Sequence, residues 1–249
     1  MKDIYSHRRL RFFGTTVDQG DFAPPLPMES PEKQEAYAES LRRVIVQATG
    51  VEIEALAMAR LCHGNTIGVF QAPRQDAVFP LTDGLVTGAP RTALVVTGAD
   101  CPSVLLFDSR KRVIGLAHSG REGTFRNISL QLMQCMQTQF GCVPEELEAV
   151  IGPGICQSHY QVLPEMAQAF SPFGFDTWII QDGHGYLDLR KAIGNQLVQL
   201  GMLRERIVVS PDCTFSSEGV WHSFRRDKRQ GVLRQDDRPR SSAFIALML

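Results

Sequence analysis

The sequence predicts an α/β protein in which a mixed β-sheet is flanked by helices within one domain, residues 1–249. Apolar runs of strand length and segments with helical periodicity intermingle along the chain. Some predicted strands are separated only by a turn, which excludes a doubly wound, purely parallel sheet. No internal repeat, low-complexity tract or linker composition divides the chain. A single mixed domain is therefore expected.

The helices are predicted from their end signals and apolar spacing. Ser30 can cap a helix that has Pro31 at its first position and stops at Gly50. Apolar residues recur every four positions from Ile128 to Phe140, which predicts a second helix ending at Gly141. Two further helices are predicted at residues 164–170 and 189–200.

The strands are predicted from short β-branched or apolar runs. These lie at residues 92–97, 103–107, 113–118, 149–151, 178–180, 206–209 and 243–249. The polar segment 108–112 is long enough only for a turn, so the strands on either side of it should form an antiparallel hairpin.

Composition narrows the class of function. The chain carries 27 acidic and 26 basic side chains, so it offers no general attraction to a polyanion, and nucleic acid is a poor partner. No segment has the length of apolar sequence that crosses a bilayer, and no signal-peptide pattern is found, so we expect no membrane partner and a cytoplasmic location. The six cysteines form no C-x-x-C pair and are expected as thiols.

Three residues have the chemistry of zinc ligands. His63 precedes a glycine, Cys101 precedes a proline, and His118 ends a predicted strand. Catalytic zinc uses three protein ligands of this kind and leaves a fourth position open. Spacing alone is a weak signal for a metal site. It also permits His63 to be a surface histidine, Cys101 a buried thiol and His118 a hydrogen-bonded histidine.

A resemblance to a known family decides between these readings. Seven motifs occur in order: His63-Gly64, Asp83-Gly84-Leu85-Val86-Thr87, Ala99-Asp100-Cys101, His118-x-Gly120-x-x-Gly123, Gly152-Pro153-x-Ile155 with Tyr160-x-Val162, Cys213-Thr214, and Ser223-Phe224-Arg225-Arg226-Asp227. Together they resemble the laccase-domain or polyphenol-oxidase-like proteins, which are better described as zinc-dependent purine nucleoside phosphorylases.

The resemblance implies a Zn²⁺ cofactor held by His63, Cys101 and His118. It also implies an enzyme that cleaves adenosine, inosine and methylthioadenosine with phosphate, and that deaminates some adenosine. Its partners would be the nucleoside and phosphate; the oligomeric state is left open. The chain departs from the family where a tryptophan and an arginine are replaced by Arg121 and Glu122.

Phosphate binding favours arginine, whose planar fork forms two parallel hydrogen bonds. The candidates are Arg121, beside a zinc ligand, and Arg225 or Arg226, with Ser223 as a further substrate-binding residue. The alternative for the second pair of arginines is a solvated run of charge, since more basic residues follow.

Deamination and base release need a proton carrier, and Asp100 and Glu122 are the carboxylates nearest to the ligands in sequence. Asp100 could instead orient a zinc-bound histidine. Cys213 could be a fourth thiol near the metal, although a core position is favoured. His7, His159, His184 and His222 are expected to be surface or hydrogen-bonded structural residues.

Other functions compete with the phosphorylase. The altered Arg121-Glu122 pair is compatible with a nucleoside-binding or regulatory paralogue whose zinc is structural. Family members have also been linked to editing of peptidoglycan precursors, which suggests a cytosolic hydrolase. Multicopper oxidase chemistry is rejected, because six histidines with no H-x-H pair cannot supply several copper centres.

Overall fold

The computed structural model describes residues 1–24, 30–71, 74–233 and 239–249. The predicted class, mixed sheets flanked by helices, is confirmed, and most strands lie in two six-stranded sheets with a third sheet of three strands. The described strands, in chain order, are β1 (Lys2–His7), β2 (Leu10–Gly14), β3 (Ala55–Arg60), β4 (Ile67–Phe70), β5 (Ala77–Pro80), β6 (Gly84–Thr87), β7 (Thr92–Gly98), β8 (Ser103–Asp108), β9 (Val113–His118), β10 (Glu148–Ile151), β11 (Gln161–Val162), β12 (Trp178–Gln181), β13 (His184–Leu187), β14 (Ile207–Val209) and β15 (Ser242–Met248).

The described α-helices match the predicted positions, with two additional short helices. They are α1 (Pro31–Thr49), α2 (Arg121–Phe125), α3 (Ile128–Phe140), α4 (Pro164–Gln168), α5 (Leu189–Gln199) and α6 (Phe224–Arg229). Helix α1 has the predicted ends: Ser30 accepts a hydrogen bond from the Lys33 N–H, and Gly50 is left-handed. None of the helices in the described ranges has the length and apolarity that a bilayer crossing requires.

Both large sheets mix parallel and antiparallel pairs. The first has the order β1-β2-β15-β7-β3-β5 and the second β14-β10-β8-β9-β6-β4. The predicted hairpin is present, since β8 and β9 pair antiparallel from Ser103 opposite His118 to Asp108 opposite Val113. In the first sheet β3 lies parallel between β7 and β5.

The two large sheets face each other across the main core. Leu94 and Phe244 from the first sheet belong to the same buried cluster as Leu105 and Leu116 from the second. Helix α1 covers the outer face of the first sheet, and helices α3 and α5 cover the outer face of the second. Each fully buried leucine or phenylalanine in these layers contributes roughly 1.5–3 kcal/mol of hydrophobic stabilisation.

Residues 99–102 carry the chain from β7 in the first sheet to β8 in the second. Asp100 lies in this crossing with a φ of +85°, a conformation that non-glycine residues rarely adopt. Strain of this kind persists where surrounding contacts hold it, and it occurs frequently at functional sites. The crossing places Cys101 at one end of the two-sheet core.

Candidate metal centre

His63, Cys101 and His118 come together at the end of the sandwich. One donor atom from each lies within 4.8 Å of the donor atoms of the other two. The β8–β9 pairing produces this proximity, because it continues past the strands through a 2.8 Å hydrogen bond from the Ser119 N–H to the Pro102 carbonyl. His63 reaches the same point from the loop that follows β3.

Gly120 leaves space beside the sulfur atom of Cys101. A Cβ atom there would lie 2.8 Å from the Cys101 Sγ and 3.3 Å from the His118 ring. A thiolate with two imidazoles is a donor set that suits zinc, and three such ligands leave a coordination position for water or substrate. The residues present therefore fit a metal ion of this kind.

Asp83 connects the ligands to one another. It is fully buried, and its Oδ1 accepts hydrogen bonds from His118 Nδ1 at 3.1 Å and from the His63 N–H at 2.9 Å. Its Oδ2 accepts the N–H groups of Cys62 at 3.1 Å and Gly64 at 2.8 Å. Bonding through Nδ1 leaves Nε2 of His118 free for a metal, as second-shell carboxylates do at zinc sites.

Asp83 had no role in the sequence prediction, although its motif was recognised. The histidine-orienting role considered for Asp100 belongs to Asp83. The signal that could have found it is a carboxylate directly before a buried, glycine-led strand. An acidic side chain at such a position is removed from water, which is unfavourable unless the carboxylate accepts hydrogen bonds or pairs with a positive charge.

The hydrogen bonds and charges of the group shift its pKa values. Burial opposes ionisation of Asp83, but hydrogen bonds from His118, Cys62 and Gly64 hold the pKa of its carboxyl well below the usual range. Burial lowers the pKa of His118, but the negative charge of Cys101 and the bond to Asp83 outweigh burial and raise it to about 9. Burial and the neighbouring charge of His118 lower the pKa of His63. A metal needs both imidazoles neutral, so binding must displace a proton from His118.

Two cavities meet at His63 and Cys101, and His118 lines the larger of them. The larger has a volume of about 610 Å³ and a mainly apolar wall that includes Leu61, Leu81 and Phe224. The smaller has a volume of about 270 Å³, and its wall contains charged side chains. His63 and Cys101 line both cavities. A small molecule in either cavity would therefore contact the metal ligands.

The charged wall of the smaller cavity contains three predicted residues: Arg121, Glu122 and Arg225. Arg121 and Glu122 form an ion pair at 2.9 Å. The guanidinium of Arg225 lies 5.3 Å from the ring centroid of Tyr160 and donates to the Gln161 carbonyl. Burial raises the pKa of Tyr160 to about 12, so its phenol keeps its proton at neutral pH.

Asp100 also lines this cavity, but both of its carboxylate oxygens are engaged. Thr214 Oγ1 donates to Oδ1 at 2.6 Å, and the Arg225 N–H donates to Oδ2 at 2.7 Å. These bonds attach the crossing segment to the start of α6. Asp100 therefore holds the backbone of Arg225 in place.

Ser223 and Arg226 have structural positions. Ser223 is fully buried and caps α6, because its hydroxyl accepts the Arg226 N–H at 3.2 Å. The Arg226 guanidinium donates to the carbonyls of Thr214 and Trp221. Among the described residues, the walls of the two cavities at the ligands do not include these two side chains. The structure thus gives Ser223 a capping role in the helix that presents Arg225, and its predicted contact with substrate stays a prediction.

Cys213 is neither a core thiol nor a fourth ligand of this group. It is half-buried and lies with Cys156 and His159 in a second group of metal-ligating side chains. His159, expected as a structural histidine, thus has a chemical setting that its position in the sequence did not reveal.

The family model described as multi-copper polyphenol oxidoreductase laccase matches residues 26–235. A purine nucleoside phosphorylase of Deinococcus radiodurans is 34% identical over 190 residues, which cover 76% of this chain and 72% of that protein. Purine nucleoside phosphorylase Rv2149c of Mycobacterium tuberculosis is 31% identical over 230 residues, covering 90% and 89%. Adenosine deaminase RL5, from an unknown prokaryotic organism, is 29% identical over 197 residues, covering 74% and 75%.

Solved structures support the same fold. YlmD from Geobacillus stearothermophilus matches with a TM-score of 0.80 and 23% identity, covering 100% of both chains. YfiH from Bacillus licheniformis matches with a TM-score of 0.78 and 22% identity, covering 96% of this chain and 92% of that one.

Proposed function

We propose that this chain, which belongs to the family described as multi-copper polyphenol oxidoreductase laccase, is a zinc-dependent phosphorylase of purine nucleosides such as adenosine, inosine and methylthioadenosine. The observation that carries the proposal is the convergence of His63, Cys101 and His118 where an apolar cavity meets a charged one. The relatives named purine nucleoside phosphorylase support the reaction class.

In this proposal His63, Cys101 and His118 hold the zinc. A bound ion of this kind is a Lewis acid that polarises a substrate oxygen or nitrogen. Asp83 keeps the His118 ring in place through Nδ1 and fixes the loop that carries His63. Two imidazoles and a thiolate also occur at electron-transfer copper sites, so the identity of the metal needs its own measurement.

The two cavities differ in polarity, and we assign phosphate to the charged cavity and the purine to the apolar one. The guanidinium groups of Arg121 and Arg225 offer paired donors to phosphate in the smaller cavity. The apolar wall with Leu61, Leu81 and Phe224 suits the flat face of a purine. The ribose then lies between them, next to the ligand group.

Phosphorolysis requires a phosphate oxygen to bond to the ribose C1′ while the bond from C1′ to the purine nitrogen breaks. The base departs with the electron pair and takes up a proton. We assign Glu122 to relay that proton from water, because its carboxylate is half-exposed on the cavity wall. Asp100 acts as a positioning residue for Arg225, since both of its oxygens already accept hydrogen bonds.

Deamination of adenosine is a second candidate activity, favoured by the relative named adenosine deaminase. In this reaction water replaces the purine amino group and ammonia leaves. Zinc deaminases use a glutamate that is not a ligand to move the protons. Glu122 lies on the wall of the cavity beside the ligands and could serve there.

Product analysis tests both activities. Purified protein is incubated with inosine or adenosine, with and without phosphate, and bases and nucleosides are separated chromatographically. Phosphorolysis predicts hypoxanthine or adenine only when phosphate is present, whereas deamination predicts inosine from adenosine without phosphate. His118→Ala should abolish turnover, and His184→Ala, which alters an exposed histidine at the start of β13, should not. The absence of free base, with identical behaviour of His118→Ala, would refute the phosphorylase.

The metal is identified by elemental analysis of protein purified without added metal. Zinc should be present, and the amount bound should fall in His118→Ala but not in His184→Ala. Copper in place of zinc, accompanied by a visible thiolate-to-copper absorption band, would contradict the cofactor assignment.

A further inference from the structure

A second group of metal-ligating side chains lies outside the candidate centre. One donor atom each from Cys156, His159 and Cys213 lies within 4.8 Å of the other two. We propose that these three residues form a second site for a soft metal ion, with zinc as the ion that their chemistry favours. The proposal does not depend on the phosphorylase activity.

The donors are preassembled by the backbone. Cys156 and His159 are brought together by the single 3₁₀ turn at Gln157–His159, and His159 Nδ1 lies 3.1 Å from the Cys156 Sγ. Cys213 approaches from a loop after β14, which is joined to Gly154 by a parallel bridge. Its Sγ is 3.7 Å from the same Nδ1. Three donors that face one another need little rearrangement to surround an ion.

The histidine ring is held in one orientation. It stacks on Phe215 with ring centroids 4.3 Å apart and an interplanar angle of 20°. An imidazole that is fixed in this way loses little conformational entropy when it binds a metal. Ser216 Oγ lies 3.4 Å from Nδ1, so a fourth oxygen donor is within reach, as is water, because the three ligands are only half-buried.

The local hydrogen bonds favour the thiolate of Cys213, the form of cysteine that ligates metals, whereas burial raises the pKa of the Cys156 thiol, which a metal would have to deprotonate. The Cys156 N–H donates to the Cys213 Sγ at 3.3 Å. Burial raises the pKa of the Cys213 thiol, but hydrogen bonds from Cys156, Ser216 and His159 outweigh burial and lower it to about 6. Two thiolates would balance the charge of a divalent ion, and sulfur with imidazole is a donor set that selects zinc over calcium or magnesium.

The second group is connected to the first through side chains already described. Thr214, next to Cys213, donates to Asp100, which precedes Cys101. Tyr160, next to His159, lines the smaller cavity. An ion bound to the second group would hold together the two loops that carry Thr214 and Tyr160, and so would stiffen that wall of the cavity.

Metal stoichiometry tests the proposal without reference to activity. The whole chain, its His118→Ala variant and its Cys213→Ser variant are equilibrated with Zn²⁺ alone, dialysed and analysed for bound zinc. We expect two ions per chain in the wild type and one in each variant. Cys135→Ser alters a half-buried thiol outside both groups and is the matched control, which should retain both ions.

Cobalt(II) substitution adds a spectroscopic test. A thiolate-to-cobalt charge-transfer band should remain in His118→Ala, where only the second group is intact, and should vanish in the His118→Ala, Cys213→Ser double variant. If Cys213→Ser fails to fold, His159→Gln replaces it in the stoichiometry experiment, where it should likewise retain one ion because it removes the imidazole ligand.

Several results would overturn the assignment. One is a single zinc ion in the wild type that only His118→Ala removes. Another is recovery of Cys156 and Cys213 as one cross-linked peptide from the freshly purified protein, because a disulfide would leave no thiolate for a metal. Retention of both ions by Cys213→Ser and by His159→Gln would have the same meaning.

Discussion

Replacement of Asp83 by Asn should weaken both the fold and the metal site. The carboxylate accepts the N–H groups of Cys62, His63 and Gly64 as well as His118 Nδ1. An amide keeps one accepting oxygen, so its NH₂ group must face two of these donors. At about 1 kcal/mol for each lost hydrogen bond, the free energy of unfolding should fall by about 2 kcal/mol or more. For a chain of this size that corresponds to a decrease in Tm of about 4–8 °C.

The metal affinity of Asp83→Asn should fall further than its stability suggests. Loss of a carboxylate that orients a ligating histidine typically reduces metal affinity by about 10–100-fold. The affinity is measured by competition with a chromophoric chelator, and the stability by thermal melting of the metal-free protein. Zinc affinity equal to that of the wild type would refute the role assigned to Asp83.

Asp108→Asn is the control for a buried aspartate that is remote from the ligands. Asp108 is 1% exposed, and its Oδ1 accepts the N–H groups of Arg110 and Lys111 in the turn between β8 and β9. This variant should leave zinc affinity unchanged. A loss equal to that of Asp83→Asn would show that any buried carboxylate has the same effect.

Gly120→Ala should reduce zinc binding, because the new Cβ would lie 2.8 Å from the Cys101 Sγ. The control, Gly194→Ala in α5, introduces only an ordinary contact at 3.7 Å and should bind zinc as the wild type does. Chelator competition on both variants measures the difference. Ser223→Ala should lower the free energy of unfolding by about 1 kcal/mol, as loss of a helix cap does, and should leave the KM for phosphate unchanged. A raised KM for phosphate would show that Ser223 contacts the substrate. Arg225→Gln should raise the KM for phosphate while the KM for nucleoside changes little, and equal changes in both would contradict its assignment to phosphate.

Local signals were sufficient for four of the six described helices and for the hairpin, whereas the short helices α2 and α6 were not predicted. Helix α1 begins and ends at its predicted cap residues, Ser30 and Gly50, because those residues act through their own backbone and that of the next turn. The β8–β9 hairpin follows from a short turn between two apolar runs.

Strand β3 shows where local sequence signals fail to predict the secondary structure. Its sequence, Ala-Leu-Ala-Met-Ala-Arg, has the composition of a helix, yet it forms an interior strand between β7 and β5. Parallel pairing with strands distant along the chain overrides local propensity. The sequence of these six residues gives no indication of which strands they pair with.

The sequence by itself determined the class of the fold, the family motifs and the identity of three residues that can ligate a metal. Only the tertiary structure decided that Asp83 connects His63 to His118, that Ser223 is a buried cap, and that Cys213 lies with Cys156 and His159. Motifs and caps depend on residues that are close in the chain. The contacts of Asp83 and Cys213 join loops from separate parts of the chain, and these loops meet only after the sheets have paired and packed.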